Sequence, residues 1–509
     1  MKAGNEQIGK PARRAGKNAF GFLSCGRQGV AVGTKTKQEN LKCEIAVIGG
    51  GGSGLAAAIA ATQKGAKVLV LEKRSTLGGD TALAGGFFAS ESPALKRLRS
   101  ESRSDGLIKF AMSHAHWKID PRIIQAFIKK SGDTVRWLEQ MGIKFDDIGQ
   151  FIPLQGPRIF HLPVGMGAGL VKVLGRECRK LGVKILCNTA VTKLLTGKNG
   201  RITGVMAESK DRELKISAKS VIIGSGGYAG NRELLKKYYP FYTDTLRSIG
   251  LPHKGDGLLM AMEIGAATEG LGTLLLRGPF HPGSMDVVHV AMEPNTIWVN
   301  KKGLRFVDEA TGFNWPEAAN ALNRQPDKIS FTLLDEKIKQ GFIQEGLIKG
   351  YRHPPLTKLT RLEKRLQAEA GKGTVKISNS WEEIAEFIGA APGVLKETVK
   401  EYNASCDQGC DELMLKDRHY LYPLRTPPYL ALKCYQGFLG TIGGIKINHR
   451  MEVLNRNDDP IPGLYAVGSA AGGWESDTYC LALSGSAFGF ALNSGRIAGE
   501  NAYNLKTNL

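Results

Sequence analysis

The 509-residue sequence lacks the signatures of several large classes of protein. Its eight cysteines form no CxxC pair and no CxxCH motif, so the chain encodes no iron–sulfur or haem relay and does not indicate a disulfide scaffold. The longest uncharged stretch, residues 45–63, contains five glycines and is shorter than the ~20 apolar residues of a membrane span. No integral membrane segment is therefore predicted.

Acidic residues are too few to balance the basic ones, and the net charge is +21. Aromatic residues are not interleaved with the basic runs and no nucleic-acid-binding motif accompanies them, so no nucleic-acid partner is predicted. Cys406 and Cys410 have no second ligand pair at a matching spacing, and His114 and His116 have no pattern of carboxylate partners. The sequence therefore predicts no metal site.

The first 42 residues are rich in glycine and lysine, carry nine Lys or Arg and two Glu, and show no periodicity. The pair Arg13 and Arg14, followed by the apolar residues Phe20 to Leu23, is similar to a twin-arginine export signal, but Arg27 interrupts the apolar region. Residues 1–42 are therefore predicted to be a disordered basic extension or a degenerate signal. The expected location is the cytoplasm, with export as the alternative.

A glycine-rich turn follows the first predicted buried strand. Gly49, Gly51 and Gly54 satisfy G-x-G-x-x-G between a short β-branched run and an alanine-rich helix. In this motif the first glycine makes a tight turn, the second lets the backbone meet a pyrophosphate, and the third lets the helix pack on the strand. A second strand ends at Glu72, eighteen residues after Gly54, where a carboxylate accepts ribose hydroxyls. The combination predicts a dinucleotide site.

Two further segments indicate which dinucleotide is bound. A second glycine-rich loop, residues 77–86, follows Glu72, and a distant strand ends at Gly468 before a helix opens near Ser486. NAD needs no such distant segment, whereas FAD is longer and lies extended, so both chain ends have to hold it. A helix N-terminus near Ser486 and Ala487 would also stabilise negative charge at flavin N1 and O2. Non-covalent FAD is therefore the predicted cofactor.

These motifs together resemble the FAD-dependent fumarate reductase/succinate dehydrogenase flavoprotein superfamily. The resemblance covers residues 43–509, and it favours the soluble branch with flavocytochrome c fumarate reductase, urocanate reductase and 3-ketosteroid dehydrogenases. It rests on both glycine-rich loops and on residues 224–231, 299–309, 463–468 and 495–499. The cofactor-binding residues predicted from the motifs and the resemblance are Gly49, Gly51, Gly52, Ser53, Gly54, Glu72, Lys73, Gly79, Asp80, Thr81, Gly85, Gly86, Gly226, Gly227, Asp256, Gly468, Ser486 and Ala487.

The resemblance implies an α/β fold with two domains. A doubly wound, Rossmann-like FAD-binding domain is expected from residues 43–276 and 416–509, which come from both chain ends. An inserted α+β capping domain, residues 277–415, is expected to close over the flavin. The sequence has no second G-x-G-x-x-G unit with a strand before it to hold NAD(P)H, so an external electron donor or acceptor is the expected partner.

The chemistry implied by the resemblance is hydride transfer between flavin N5 and one carbon of a C–C bond, with a proton moved at the neighbouring carbon. His281 matches a carboxylate-clamp histidine, Glu309 matches the proton-relay acid, and Lys339 falls at or near the proton-donating arginine. Tyr479 resembles the tyrosine that holds the substrate carbonyl in 3-ketosteroid dehydrogenases. These four side chains are the predicted catalytic residues.

Other positions depart from the pattern of the dicarboxylate reductases. Phe313 stands at the relay arginine, Gly440 replaces the second clamp histidine and Ala482 replaces the carboxylate-binding arginine. A buried dicarboxylate without bidentate arginine partners loses its hydration uncompensated, so fumarate and, more weakly, urocanate are disfavoured. Apolar side chains expected nearby favour an apolar or aromatic unsaturated substrate: Phe87, Phe88, Trp474, Leu481 and Leu483.

Three functions are compatible with these residues. We expect an FAD-dependent oxidoreductase that reduces an α,β-unsaturated carbonyl-type small molecule, or catalyses the reverse reaction. The first alternative is a 3-ketosteroid dehydrogenase of the Δ1 or Δ4 type. The second is a non-catalytic flavin subunit that carries electrons to a partner.

Overall fold

The structure, a computed structural model, describes residues 37–99, 102–149, 158–210, 212–349 and 356–504. Most of the predicted basic extension, including Arg13 and Arg14, lies outside the described residues. The segment Lys37–Lys42 is described, and it forms a strand in parallel register with Arg212–Ser217. The expected disorder therefore does not hold for these six residues, because backbone hydrogen bonds to a neighbouring strand order them.

The elements are numbered along the chain. The strands are β1 (Lys37–Lys42), β2 (Ile45–Ile48), β3 (Val68–Leu71), β4 (Phe87–Phe88), β5 (Phe145–Gly149), β6 (Phe160–Pro163), β7 (Lys184–Leu186), β8 (Thr189–Thr196), β9 (Ile202–Ser209), β10 (Arg212–Ser217), β11 (Ser220–Ile223), β12 (Arg247–Ser248), β13 (Thr268–Glu269), β14 (Leu274–Phe280), β15 (Ile297–Val299), β16 (Ile329–Leu334), β17 (Val375–Ser378), β18 (Tyr429–Thr441), β19 (Gly444–Ile445), β20 (Glu452–Leu454) and β21 (Pro460–Ala466). The helices are α1 (Gly52–Gln63), α2 (Pro93–Arg97), α3 (Ser104–His114), α4 (Pro121–Gln140), α5 (Met166–Lys180), α6 (Arg232–Tyr238), α7 (Asp256–Glu263), α8 (Met285–Val290), α9 (Trp315–Asn323), α10 (Glu336–Gln344), α11 (Leu362–Ala370), α12 (Trp381–Ile388), α13 (Pro392–Gln408) and α14 (Ser486–Asn504). Within the described ranges, none of these helices has the length and apolar character that crossing a bilayer requires.

The central sheet takes its strands from both ends of the chain. Six strands lie in the order β20–β21–β11–β2–β3–β7, and every neighbouring pair is parallel except β20 with β21. β2 and β3 are short aliphatic runs that are buried throughout, as parallel strands covered on both faces require. Because the strands are parallel, the turns that follow β2, β11 and β21 meet at one edge of the sheet.

Different layers cover the two faces of this sheet. α1 and α14 pack against β2, β11 and their neighbours, whereas strands β8 and β9 of the four-stranded sheet β1–β10–β9–β8 pack on the other side. The fold is therefore mixed α/β, as expected. The doubly wound arrangement, which has helices on both faces, is not confirmed, because a β-sheet supplies the second layer.

Glycines allow α1 and α14 to approach closely. A Cβ atom on Gly495 would lie 2.2 Å from the carbonyl oxygen of Ser53, and one on Gly499 would lie 2.4 Å from that of Ala57. Both distances are too short for any residue with a side chain, so the helix backbones meet only because these positions are glycine. This contact joins the first helix of the chain to the last.

A second hydrophobic core lies in the central part of the chain. Its buried residues run from Val287 to Cys434, and they form a cluster separate from the core around β2 and α1. Strands β14, β16 and β17 all pair with the long strand β18. The second core thus begins close to the expected start of the inserted domain, but it continues past residue 415 because β18 belongs to its sheet.

We expect Gly495→Ala to destabilise the protein by roughly 1–3 kcal/mol, the usual cost of overpacking, because the new methyl group meets a backbone oxygen of α1. The matched control is Gly341→Ala in α10, where no atom lies within 4 Å of the added Cβ. That control should be neutral or more stable by up to ~1 kcal/mol, since alanine is the better helix former. Chemical unfolding followed by circular dichroism measures both; equal stabilities would contradict the close helix contact.

Candidate active site

Two glycine-rich loops meet at the edge of the central sheet. Gly49 has a φ of +104°, and a Cβ there would lie 2.4 Å from the carbonyl oxygen of Gly224. A Cβ on Gly54 would lie 2.0 Å from the Gly49 oxygen, so both positions need glycine for backbone packing. Gly51 is different, because a Cβ there meets only the Gly78 oxygen, at 3.8 Å. Its backbone is therefore open to a ligand.

The two loops line an open cleft. The predicted cofactor-binding residues in its walls are Gly49, Gly51, Gly52, Ser53, Glu72, Lys73, Gly79, Asp80, Thr81, Gly226 and Asp256. The remaining wall residues are Ile48, Leu71, Arg74, Thr189, Ala190, Val191, Gly224, Ser225, His253, Ser469 and Ala491. The sequence analysis named Gly224 and Ser225 only as part of the motif 224–231. It missed Thr189–Val191 and Ser469, because only the fold brings the start of β8 and the turn after β21 to the cleft.

Glu72 lies where the sequence pattern places the ribose-binding acid, directly after β3. Its carboxylate accepts hydrogen bonds from the Gly50 N–H at 2.7 Å and from the Arg74 N–H at 2.8 Å. These bonds fix a buried side chain in one orientation. An ionised carboxylate has about four lone-pair sites, so Glu72 retains the capacity to accept ribose hydroxyls.

Two polar pairs stand in the walls of the cleft. Lys73 Nζ lies 2.5 Å from a carboxylate oxygen of Asp256. Asp80 contacts His253 Nε2 at 3.0 Å with one oxygen and accepts the Leu251 N–H at 2.8 Å with the other. The sequence analysis named both acids and the lysine but not His253, which meets Asp80 only through the fold.

The residues present in this cleft fit a dinucleotide. The first N–H groups of an α-helix have no partner within the helix, and the positive end of its dipole attracts anions, so the start of α1 suits a pyrophosphate. The Ser225 hydroxyl is buried in the wall without a hydrogen-bond partner. The start of α1 and the open backbone of Gly51 therefore suit the pyrophosphate of such a ligand, and Glu72 suits its ribose hydroxyls.

The other predicted cofactor-binding glycines serve the packing around the cleft. A Cβ on Gly86 would lie 2.4 Å from a backbone oxygen, one on Gly227 would lie 1.9 Å from the Thr441 hydroxyl, and one on Gly468 would lie 2.8 Å from the Ser53 hydroxyl. A backbone oxygen therefore approaches Gly86 closely, and side-chain hydroxyls approach Gly227 and Gly468. The predicted residues that do not line the cleft are Gly54, Gly85, Gly86, Gly227, Gly468, Ser486 and Ala487.

Tyr479 lies at the N-terminus of α14. Its hydroxyl accepts a hydrogen bond from the Ala487 N–H at 3.1 Å, and the side chain is buried. The sequence analysis assigned Tyr479 to the substrate and Ala487 to the flavin, and the structure shows that the two residues contact each other. Burial raises the pKa of Tyr479 well above its ordinary value, so the hydroxyl keeps its proton at neutral pH and can donate it.

Glu309 belongs to a buried ion cluster of the second core. Its carboxylate lies 2.9 Å from Arg305 and 3.0 Å from Lys416, and it accepts the Trp298 N–H at 3.0 Å. Arg305 also contacts Asp411 at 2.9 Å. Burial alone would raise the pKa of Glu309, but Lys416 and Arg305 outweigh it and hold this pKa below its ordinary value. A fully paired anion of this kind favours a structural role.

His281 and Lys339 also find their partners in the second core. Both ring nitrogens of His281 contact backbone groups, with Nε2 3.4 Å from the Thr374 oxygen, and burial lowers the pKa of this imidazole. Lys339 lies 2.7 Å from Glu336 and also bonds Glu363. In the part of the chain that the structure describes, no hydrogen bond or ion pair joins any two of the four predicted catalytic residues.

The apolar residues expected around the substrate are buried in the first core. Phe87 and Phe88 are completely buried, and Trp474 stacks on Phe490 with ring centroids 4.4 Å apart. The two leucines that follow Tyr479 are buried as well. These side chains surround the start of α14, and their contact with a substrate stays a prediction.

Glu475 is a buried acid that the sequence analysis does not single out. It precedes Tyr479 on the same loop, and one carboxyl oxygen accepts the Cys480 N–H at 3.3 Å. Burial raises the pKa of Glu475 to about 8, so the side chain is neutral at pH 7. A single glutamate between Trp474 and Ser476 gives no signal in a sequence, because only the fold shows its burial.

Comparison with known proteins agrees with these observations. The family described as FAD binding domain matches residues 44–480. The chain is 32% identical over 479 residues to the vinyl phenol reductase of Lactiplantibacillus plantarum, which covers 90% of this chain and 96% of that protein. The open conformation of a flavocytochrome c3 fumarate reductase superposes with a TM-score of 0.73 at 26% identity, over 91% of this chain and 78% of that chain.

The 3-ketosteroid Δ4-(5α)-dehydrogenase of Rhodococcus jostii has a TM-score of 0.72 at 24% identity, over 91% of this chain and 97% of that chain, and so shares the fold. The matched residues include both glycine-rich loops, the acid after β3 and the strand that returns from the far end of the chain. The cofactor of the cleft is therefore FAD. The protein belongs to the FAD binding domain family, within the fumarate reductase/succinate dehydrogenase flavoprotein superfamily, and is an FAD-dependent oxidoreductase.

Proposed function

We propose that this protein reduces the C=C bond of a neutral aromatic alkene, with electrons from an external donor. One observation carries the proposal: the loop between β21 and α14, residues 467–485, contains no Arg, Lys or His. Its buried acid Glu475 and its buried tyrosine Tyr479 are both uncharged at neutral pH. A dicarboxylate would find no cation on this loop to offset its lost hydration, whereas a phenolic alkene needs none.

The similarity to vinyl phenol reductase supports the same class of substrate. That relative matches 90% of this chain and 96% of its own length. An aromatic alkene also agrees with the apolar residues that surround the start of α14. The fumarate reductase in the structural comparison acts on a charged substrate, and the loop of this chain lacks the charge to match it.

The chain's own residues have distinct tasks in this proposal. Bound FAD, once reduced, supplies the hydride. The first turn of α1 and Glu72 hold the cofactor through its pyrophosphate and ribose. The Tyr479 hydroxyl, which accepts the Ala487 N–H, donates a hydrogen bond to the substrate oxygen and orients the alkene.

We propose that the second core closes over the site and excludes water. Asn320 in α9, which lies within the expected capping segment 277–415, donates a hydrogen bond to the Thr478 hydroxyl at 2.9 Å and ties this segment to the loop that carries Tyr479. Exclusion of water strengthens the electrostatic interactions at the reacting carbons and protects the reduced flavin.

A second candidate, a 3-ketosteroid dehydrogenase, is favoured by one observation. Tyr479 lies at the N-terminus of α14 with its hydroxyl proton available, which would suit a ring ketone as well as a phenol. The shared fold with the Rhodococcus jostii enzyme is compatible with this candidate. Substrate tests separate the two candidates.

The proposed function is tested by reoxidation of the reduced protein. The protein, reduced with dithionite under anaerobic conditions, is mixed separately with vinyl phenol, an aryl acrylate, a steroid enone and fumarate while flavin absorbance is followed. We expect vinyl phenol to reoxidise the flavin and fumarate to react at least about a hundredfold more slowly, the scale of a lost charged hydrogen-bond pair. Reoxidation by the steroid alone would indicate the second candidate, and reoxidation by none of the four would indicate an electron-carrier subunit.

The variant Gly51→Val tests the placement of FAD. Its side chain would enter the cleft where the backbone is open, so the variant should fold normally but lose its bound FAD. Flavin absorbance per protein and the unfolding midpoint of the FAD-free protein measure the two effects. Gly106→Val is the control, because that exposed glycine in α3 has no atom within 4 Å of an added Cβ. A yellow Gly51→Val protein would contradict the placement.

A further inference from the structure

The loop that carries Glu475 is held from two sides. From α9, Asn320 donates a hydrogen bond to the Thr478 hydroxyl at 2.9 Å. From the first core, His114 Nε2 lies 3.0 Å from the Thr478 carbonyl oxygen. Within the loop itself, the Glu475 carboxyl accepts a hydrogen bond from the Cys480 N–H. The acid is therefore fixed in place next to Tyr479.

Within the described ranges, no cation neutralises this acid. Lys118 contacts the loop, but its ammonium group forms an ion pair at 2.5 Å with the exposed Asp477 and not with Glu475. His114 is engaged by a backbone oxygen on the outer side of the same loop. Among the residues that the structure describes, no Lys, Arg or His contacts the Glu475 carboxyl. Ionisation of Glu475 would thus bury an uncompensated charge.

Two other acidic groups lie around the loop. Glu269 in β13 packs behind Gly473, where a Cβ would lie 2.6 Å from its carboxylate. Glu317 in α9 faces Cys480. The contrast with Glu309 is direct, because that acid is equally buried but contacts two cations. Glu309 is held as an anion, while Glu475 carries a proton at neutral pH.

We propose that Glu475 is the general acid of this flavin enzyme, donating the proton that reduction places on the carbon beside the hydride acceptor. The inference rests on the proposed function and assigns its proton source. The hydride from reduced FAD forms a C–H bond at one alkene carbon, the Glu475 O–H proton forms a C–H bond at the other, and the C–C π bond breaks. The flavin is oxidised by two electrons, the alkene is reduced by two, and water reprotonates the Glu475 carboxylate.

The chemistry of the proposed substrate explains why an acid is needed. A vinyl group on a phenol has no carbonyl to draw electrons from the double bond, so its reduction requires a proton at the terminal carbon. A general acid works best when its pKa lies near the working pH, and that of Glu475 is about 8. Tyr479 is left to hold the phenolic oxygen, with the Ala487 N–H fixing its orientation.

The test compares Glu475→Gln with the wild-type protein, both loaded with FAD. Glutamine keeps the carbonyl that accepts the Cys480 N–H but has no acidic proton. We expect the same FAD content and a single-turnover reoxidation by vinyl phenol that is about a hundredfold slower or more. Glu317→Gln, which changes an exposed acid near the same loop, should react at the wild-type rate.

The pH profile distinguishes a proton donor from a structural residue. The neutral form of Glu475 donates, so the wild-type reoxidation rate should be constant below pH 8 and fall about tenfold per unit above it. The slower Glu475→Gln rate should lack this alkaline limb. If Glu475→Gln is reoxidised at the wild-type rate, this inference is overturned but the proposed function is not. Failure of the wild-type protein to react with any alkene would overturn the proposed function and this inference with it.

A stability measurement tests the burial of Glu475 without reference to turnover. Between about pH 4.3, where an unfolded glutamate ionises, and pH 8, the unfolded state loses a proton that the folded state keeps. Wild-type stability should therefore fall relative to Glu475→Gln as the pH rises through this window. We expect the variant's advantage in thermal unfolding midpoint to grow from pH 5 to pH 8. An advantage that does not change with pH would overturn the inference, because Glu475 would then not be a buried neutral acid.

Discussion

The close contact between α1 and α14 is the constraint on which the rest of the structure depends. Gly495 lets the backbone of α14 pack directly on Ser53, in the first turn of α1. The two helix N-termini, one facing the FAD cleft and one capped by Tyr479, are thereby fixed relative to each other. This contact therefore sets the position of the start of α14, where Tyr479 lies, relative to the FAD cleft at the start of α1.

The sequence predicted the parts of the site that lie close together along the chain. The strand, the glycine turn, α1, β3 and Glu72 follow one another within some thirty residues of the motif, and each has a characteristic local pattern. The distant segment that ends at Gly468 was also predictable, because it repeats a strand-to-glycine pattern. By contrast, the strand β1 and the sheet layer against the central sheet depend on pairing between distant segments, which local patterns do not reveal.

The catalytic side chains were the least predictable part, because burial and partners decide their chemistry. Lys339 matches a family position, yet it bonds Glu363 on a different helix, and that pairing is invisible in the sequence. The protonation states of Glu309 and Glu475 were equally unpredictable from the sequence. Both are buried glutamates, but two cations keep the first ionised, whereas no cation among the described residues contacts the second and burial keeps it neutral. The proposed preference for a neutral substrate rests in part on this second arrangement.

The central claim is that one FAD molecule is held by both ends of the chain. Hydrogen–deuterium exchange of the protein with and without FAD tests this most directly, because it reports each segment separately. The account predicts that FAD slows exchange both in residues 49–54 and at the start of α14, residues 486–490. Slowed exchange in the first segment with no change at α14 would contradict it.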